Sequence, residues 1–199
     1  MHDLRGSLEG EGLRVAIAVS RYNETVTRGL LRGALDVLEE CHVASDDVTV
    51  VHVPGALELP LMCSLMAGSG EYDAVIALGA VIQGETDHYE HVCRETLHGC
   101  GLAALDTLVP VLCGVLTCAT LAQARDRSTT PAKNKGCEVA RAAIETANVV
   151  RGWENMLPDP EDPANYEDED EEFDIDEAID ELEDELNGGD DGADEDEPR

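Results

Sequence analysis

The feature that most constrains this chain is an alternation between two hydrophobic periods. Short apolar, β-branched runs occupy residues 14–20 (RVAIAVS), 48–53 (VTVVHV), 74–82 (AVIALGAVI) and 109–117 (VPVLCGVLT). Between and after them lie stretches whose apolar residues recur every three or four positions. Runs of that length and composition read as buried strands, and the longer spacing reads as amphipathic helix. In 25–41 the helical set is Val26, Leu30, Ala34, Val37 and Leu38. Pro54-Gly55 breaks the second run. A helix is expected over 56–66, with Pro60 in its first turn, where the missing N–H has no intrahelical partner to lose. Further helices are expected over 89–108, weakened near its middle by Gly99 and Gly101, over 121–127 and over 135–151. The 74–82 run is apolar at both parities, which calls for cover on both faces of a sheet.

Strand and helix thus alternate four times. That order dictates a parallel sheet whose right-handed crossovers place helices on both faces. The fold class is α/β: a three-layer α/β/α sandwich around a four-stranded parallel sheet, flavodoxin-like in style. Strand order is not readable from the pattern. The 199 residues, 43% of them hydrophobic, suffice for one core of ordinary size.

Charge divides the chain. It carries 44 acidic and 13 basic residues, a net −31. Residues 1–151 hold 20 acids and 12 bases, whereas 152–199 hold 24 acids and the single base Arg199. The expected organisation is a polar, Gly-rich arm over 1–13, a folded domain over 14–151 and an acidic tail over 152–199. The composition of 159–199 predicts disorder. Within it Ile175, Ala178, Ile179, Leu182 and Leu186 fall on one helical stripe, so a short amphipathic helix is expected over 175–186. It serves either as part of a solvated tail that keeps an assembly soluble or as a docking helix.

Several classes are excluded. Phosphate-backbone binding needs clustered Lys and Arg, so nucleic acid is not the expected partner. No run of 18 apolar residues predicts a membrane span, and no apolar segment near Met1 predicts a signal peptide. Seven cysteines (41, 63, 93, 100, 113, 118 and 137) form no C-x-x-C pair and sit mostly in apolar runs. They read as buried free thiols of a reducing compartment, the cytoplasm. The Asn23-Glu24-Thr25 sequon is discounted for the same reason.

Open parallel sheets bind ligands at the carboxyl ends of their strands. The segments leaving the strands are Arg21-Tyr22-Asn23, Pro54-Gly55-Ala56-Leu57-Glu58, 83–88 (QGETDH) and Thr117 onwards. Gly84-Glu85-Thr86 precedes a helix, where backbone N–H groups and the helix dipole suit an anion. The same residues also suit an ordinary turn with Thr86 or Asp87 as N-cap. His88 is placed to move protons near neutral pH, or to lie on the surface as a capping residue. His88, Glu90 and His91 do not share one helical face, so no metal site is expected. Lys133, Lys135, Arg125 and Arg127 form the densest basic cluster of an acidic domain. That suits a small anion such as a phosphate monoester, or simple ion pairing with acidic neighbours. Neither a G-x-G-x-x-G nor a P-loop is present, and no G-x-S-x-G elbow supports acyl transfer.

Over about 14–150 the chain resembles the lumazine synthases of riboflavin biosynthesis. The resemblance is carried by Arg21-Tyr22-Asn23, Val53-Pro54-Gly55-Ala56 with Glu58 and Pro60, the 77–88 run ALGAVIQGETDH, Gly114-Val115-Leu116-Thr117, and Asn134-Lys135-Gly136 with Glu138. It implies condensation of 5-amino-6-(D-ribitylamino)uracil with 3,4-dihydroxy-2-butanone 4-phosphate. The products are 6,7-dimethyl-8-ribityllumazine, phosphate and water, formed without cofactor or metal. It implies that Tyr22 stacks on the pyrimidine and that Ala56, Leu57 and Glu58 bind the uracil and ribityl chain. Ala80, Val81 and Ile82 offer backbone contacts to the heterocycle, and Glu85, Thr86 and Arg127 hold phosphate. His88 transfers protons, and Lys135 and Cys113 lie near the site.

The family shares each site between subunits, so Cys113 and Arg127 are expected to face a neighbour's Tyr22 and His88. Leu57 and Cys113 stand where aromatic residues are usual, and Gln83 where arginine is common. The lost stacking, about 0.5–1.5 kcal/mol per ring, predicts weaker pyrimidine binding or a reshaped pocket, with activity retained. The resemblance implies pentamers or a sixty-subunit icosahedral shell. The short 128–133 segment favours the shell, and riboflavin synthase is a candidate partner. The competing reading is a shell or scaffold protein of weakened activity that recruits cargo through its tail.

Overall fold

The computed structural model describes residues 3–158. Four strands form one sheet: β1 (Val15–Ser20), β2 (Val48–Val53), β3 (Ala74–Ile82) and β4 (Val111–Cys118). Every pairing is parallel and the order is β2-β1-β3-β4. The helices are α1 (Glu24–Glu40), α2 (Leu59–Ala67), α3 (His88–Thr107), α4 (Leu121–Thr129) and α5 (Lys135–Glu154). The expected α/β sandwich is what the chain forms, with β1 and β3 central and β2 and β4 at the edges.

Alternation along the strands sends side chains to two cores. Val15, Ile17 and Val19 of β1, with Ile76 and Leu78 of β3, pack beneath α1, α4 and α5. Ala16, Ala18, Val75 and Ala77 face α2 and α3, together with Leu59, Cys63 and Cys100. The α1 stripe read from the sequence is buried as a set: Val26, Leu30, Ala34, Val37 and Leu38 are each at most 1% exposed. Each of its larger aliphatic members contributes roughly 1.5–3 kcal/mol of transfer free energy.

Element boundaries differ from expectation for local reasons. The segment expected as the start of the second helix is a 3₁₀ turn, Ala56–Glu58, with α2 beginning at Leu59. β4 begins at Val111 rather than 109, since Pro110 has no N–H to give a ladder, although its carbonyl accepts from Val75 N at 2.8 Å. α3 runs unbroken through Gly99 and Gly101. Gly99 is there for close approach, because a Cβ on it would lie 2.7 Å from Pro60 Cβ in α2. α5 continues three residues past the expected 151, to Glu154.

Residues 3–13 form neither helix nor strand. Asn148 of α5 holds this arm by donating to Ser7 O (3.0 Å) and Glu9 O (2.8 Å). Arg151 adds a bond to Gly12 O at 2.7 Å and pairs with Asp73 at 2.9 Å. The helix expected over 175–186 lies outside the described residues. Among those described, no helix is long and apolar enough to cross a membrane.

Candidate active site

The parallel order brings four strand ends to one edge, and backbone bonds extend the sheet beyond its ladders. Arg21 N donates to Val53 O at 2.9 Å and Tyr22 N to Pro54 O at 3.1 Å. On the other side Gln83 N donates to Cys118 O at 2.9 Å. Tyr22 therefore leaves β1 beside the loop that leaves β2. Its ring, 68% exposed, lies over Gly55: a Cβ added there would stand 3.0 Å from Tyr22 Cδ2. The Glu58 carboxylate accepts from Gly55 N at 2.7 Å, which pins it beneath the same ring through Oε2. Ala56 is buried and Leu57 is half exposed beside it. Ala80 is buried at the end of β3, while Val81 and Ile82 are half-buried and reach the edge.

The segment from Gln83 to His88 is exposed throughout. α3 opens at His88 with Asp87 at the cap position, yet the Asp87 side chain makes no capping bond. The Asp87 carbonyl accepts from Glu90 N at 3.0 Å and His91 N at 3.5 Å. Among the described residues, the N–H groups from Glu85 to Tyr89 take no acceptor from the chain. A helix N-terminus left open in this way carries a partial positive charge, with Glu85, Thr86 and His88 around it. Tyr89 is half-buried, and burial first and the neighbouring Cys93 second push its hydroxyl up. His91 Nδ1 lies 3.1 Å from Arg94 Nη2, so its ring accepts from a guanidinium. Among the described residues no three His, Cys, Asp or Glu side chains are grouped to hold a metal.

The remaining predicted residues lie elsewhere. Cys113 pairs with Ala77, five positions before the Ile82–Cys118 pair, which places it about 16 Å down the strand from the edge. Its thiol packs against Cys100, which in turn meets Cys63. The hydrogen bond to Cys100 and then burial push the Cys113 thiol far up, with Lys135 pulling weakly the other way. Cys113 favours the Cys100 thiolate, but the bond with Cys63 and burial outweigh it and push Cys100 up to about 12. All seven cysteines are free.

The basic cluster is not one cationic site. Lys133 pairs with Asp126 at 2.8 Å, holding that carboxyl below its ordinary value, and Lys135 pairs with Glu138 at 2.6 Å. Arg125 and Arg127 are exposed and make no ion pair among the described residues. Arg127 stands in the last turn of α4, about 9 Å along the helix from its start. Asn134 ties this region together. Its Nδ2 donates to Ser128 O (2.8 Å) and Gly29 O (3.0 Å), and its Oδ1 caps α5 by accepting from Gly136 N (2.8 Å).

One chain thus carries two separate groups. Tyr22, Ala56, Leu57, Glu58, Ala80, Val81, Ile82, Glu85, Thr86 and His88 gather at the carboxyl edge. Cys113 and Lys135 belong to the β4 side, and Arg127 to the far end of α4. A 550 Å³ groove along Lys133, Asn134 and Arg141 and a 460 Å³ cavity lined by Leu35, Val48 and Val50 hold none of the predicted site residues. The residue that sequence reading left without a role is Asn23. It has the left-handed backbone φ 60°, ψ 43°, and its side chain donates to Ala80 O at 2.8 Å. An asparagine directly before a helix is the sequence signal for such a turn.

Compared with known protein families, residues 12–151 match the family described as 6,7-dimethyl-8-ribityllumazine synthase. The match takes in all four strands and continues through α5 as far as Arg151.

Proposed function

Since the chain belongs to the lumazine synthase family of riboflavin biosynthesis, we propose that it is a transferase condensing 5-amino-6-(D-ribitylamino)uracil with 3,4-dihydroxy-2-butanone 4-phosphate. The products are 6,7-dimethyl-8-ribityllumazine, phosphate and water. One observation carries this reading. A clamp for a flat polar ring (Tyr22, Gly55, Glu58) and an uncapped helix N-terminus bearing His88 stand on the same sheet edge. A pyrimidine with a polyol chain fits the first, and a phosphorylated ketone fits the second.

The chemistry follows from that placement. The pyrimidine lies on the Tyr22 ring, its ribityl hydroxyls donating to the Glu58 carboxylate. The ketone phosphate sits on the N–H groups of Glu85 and Thr86. The 5-amino group attacks the carbonyl, whose oxygen leaves as water, to form an imine. His88 removes and returns protons as phosphate is eliminated, the ring closes and a second water leaves. Backbone groups that Ala80 and Ile82 turn to the open side of β3 hold the heterocycle while this proceeds.

Cys113, Arg127 and Lys135 complete the site from a neighbouring copy, because their own chain holds them away from its carboxyl edge. Arg127 clamps the phosphate with a planar guanidinium. The working unit is then an oligomer, a pentamer or a shell of sixty, with 152–199 as an appendage outside the chemistry. Mixing both substrates with purified protein should give lumazine absorbance and one phosphate per turnover. No lumazine at millimolar substrates would overturn the reading. Light scattering at pentamer size would refute the shell.

A further inference from the structure

The β1–β3 ladder ends at Val19–Leu78, whereas β3 continues four residues further, to Ile82. Over that overhang no strand among the described residues lies on the β1 side, because the chain has turned at Asn23 into α1. The Asn23 side chain takes the strand's place, its Nδ2 donating to Ala80 O at 2.8 Å. It reaches that carbonyl because its backbone is left-handed, a conformation that asparagine takes more readily than most residues. Its own carbonyl accepts from Val26 N at 2.8 Å and Thr27 N at 3.1 Å, starting α1. One residue therefore joins the end of β1, the start of α1 and the overhang of β3.

The pleat decides what this leaves open. Gln83 N donates to Cys118 O, so residue 83 faces β4. Alternate residues of a parallel strand direct both their N–H and C=O to alternate sides. Ala80 and Ile82 therefore face the β1 side. Asn23 occupies the Ala80 acceptor, and the N–H and C=O of Ile82 are the next pair outward. A uracil ring carries an N–H between two carbonyls, the donor and acceptor pattern that a sheet edge accepts from an added strand.

We propose that Asn23 is a positioning residue for the pyrimidine substrate, holding the β3 overhang at Ala80 so that Ile82 meets the heterocycle at a fixed height beside Tyr22. This rests on the lumazine synthase reading and adds a residue to it. The test compares Asn23→Gly, which keeps the left-handed backbone and loses the donor, with Asn23→Asp, which turns an acceptor towards Ala80 O. Both should raise the KM of the pyrimidine about 5- to 10-fold and leave the KM of the ketone phosphate within twofold. Amide hydrogen exchange should quicken at least tenfold in a peptide covering 80–83 and stay unchanged in α5. Equal rises in both KM values, or faster exchange throughout, would make Asn23 merely structural and overturn the proposal. So would a glycine variant with wild-type KM and exchange. If the wild-type protein forms no lumazine, the reading of its function fails. The exchange experiment, with calorimetric binding of ribitylaminouracil, then decides on Asn23 by itself: local quickening with weakened binding supports it, and no change in either overturns it.

Discussion

Substituting Gly55 by alanine separates the clamp from the fold. Gly55 has extended backbone, φ −133° and ψ −174°, which any residue adopts. A methyl group there would stand 3.0 and 3.1 Å from Tyr22 Cδ2 and Cε2 and 3.1 Å from Glu58 Oε2. The exposed Tyr22 ring can swing away, and a displaced Glu58 Oε2 exchanges its bond from Gly55 N for one from water. The crowding is relieved locally, and the reduced freedom of the unfolded chain offsets part of its cost, by about 0.4–1 kcal/mol. Melting should shift by less than about 2 °C, given roughly 2–4 °C per kcal/mol for a domain of this size. The ligand surface, in contrast, is displaced. Losing one aromatic contact, about 0.5–1.5 kcal/mol, corresponds to an increase of about 2- to 12-fold in the KM of the pyrimidine. The KM of the ketone phosphate should not move. Steady-state kinetics with each substrate varied in turn, beside thermal unfolding, would check this. A fall in melting temperature above about 5 °C, or an unchanged pyrimidine KM, would refute the placement of Tyr22 and Glu58 around Gly55.

His88→Ala should lower kcat by about 10²-fold, typical of a lost general acid–base group, with little change in melting temperature because the residue is exposed. Arg127→Ala should raise the KM of the ketone phosphate about tenfold and leave chain stability within about 0.5 kcal/mol, as kinetics and urea unfolding would show. Asn134→Ala removes three hydrogen bonds at a residue only 8% exposed and should cost about 2–4 kcal/mol in urea unfolding. Cys100, pushed up to about 12, holds about one thiolate in 10⁴ at pH 8. Mass spectrometry after iodoacetamide treatment should find it unmodified in the native protein and modified once urea unfolds it.

Much of the fold was legible because burial writes itself into spacing. Val26, Leu30, Val37 and Leu38 were read as one face and form one, and the two-sided apolar run of 74–82 became a central strand. Strand order was not legible, since which strands become neighbours depends on crossovers that leave no mark in either period. The start of β4 at Val111 follows from the N–H that Pro110 lacks, and the 3₁₀ turn at Ala56–Glu58 from local hydrogen bonding, neither of which hydrophobic spacing reports. The carboxyl-edge residues were legible because parallel topology brings strand ends together. The basic cluster left two readings open, and ion pairing is the one that holds for Lys133 with Asp126 and Lys135 with Glu138. Asn23 escaped because its work is done by a left-handed turn and one bond to a residue 57 positions away.

The separation of the two groups on one chain turns a question of chemistry into one of concentration. Residues at the carboxyl edge are proposed to recognise a ring and an anion, yet Cys113 is held about 16 Å down β4 by its register with Ala77. Rotating a side chain cannot close that gap, because a Cys side chain spans only a few ångströms and Cys113 already packs against Cys100. If a neighbouring copy supplies the second group, dilution should abolish activity before it unfolds the chain. Each chain already has two cores of its own, which dilution leaves intact. Specific activity should therefore fall with protein concentration along the same curve as oligomer mass in light scattering, while far-ultraviolet circular dichroism stays constant. Full specific activity at a concentration where only single chains scatter would show that one carboxyl edge suffices, and that Arg127 and Lys135 act in some other way.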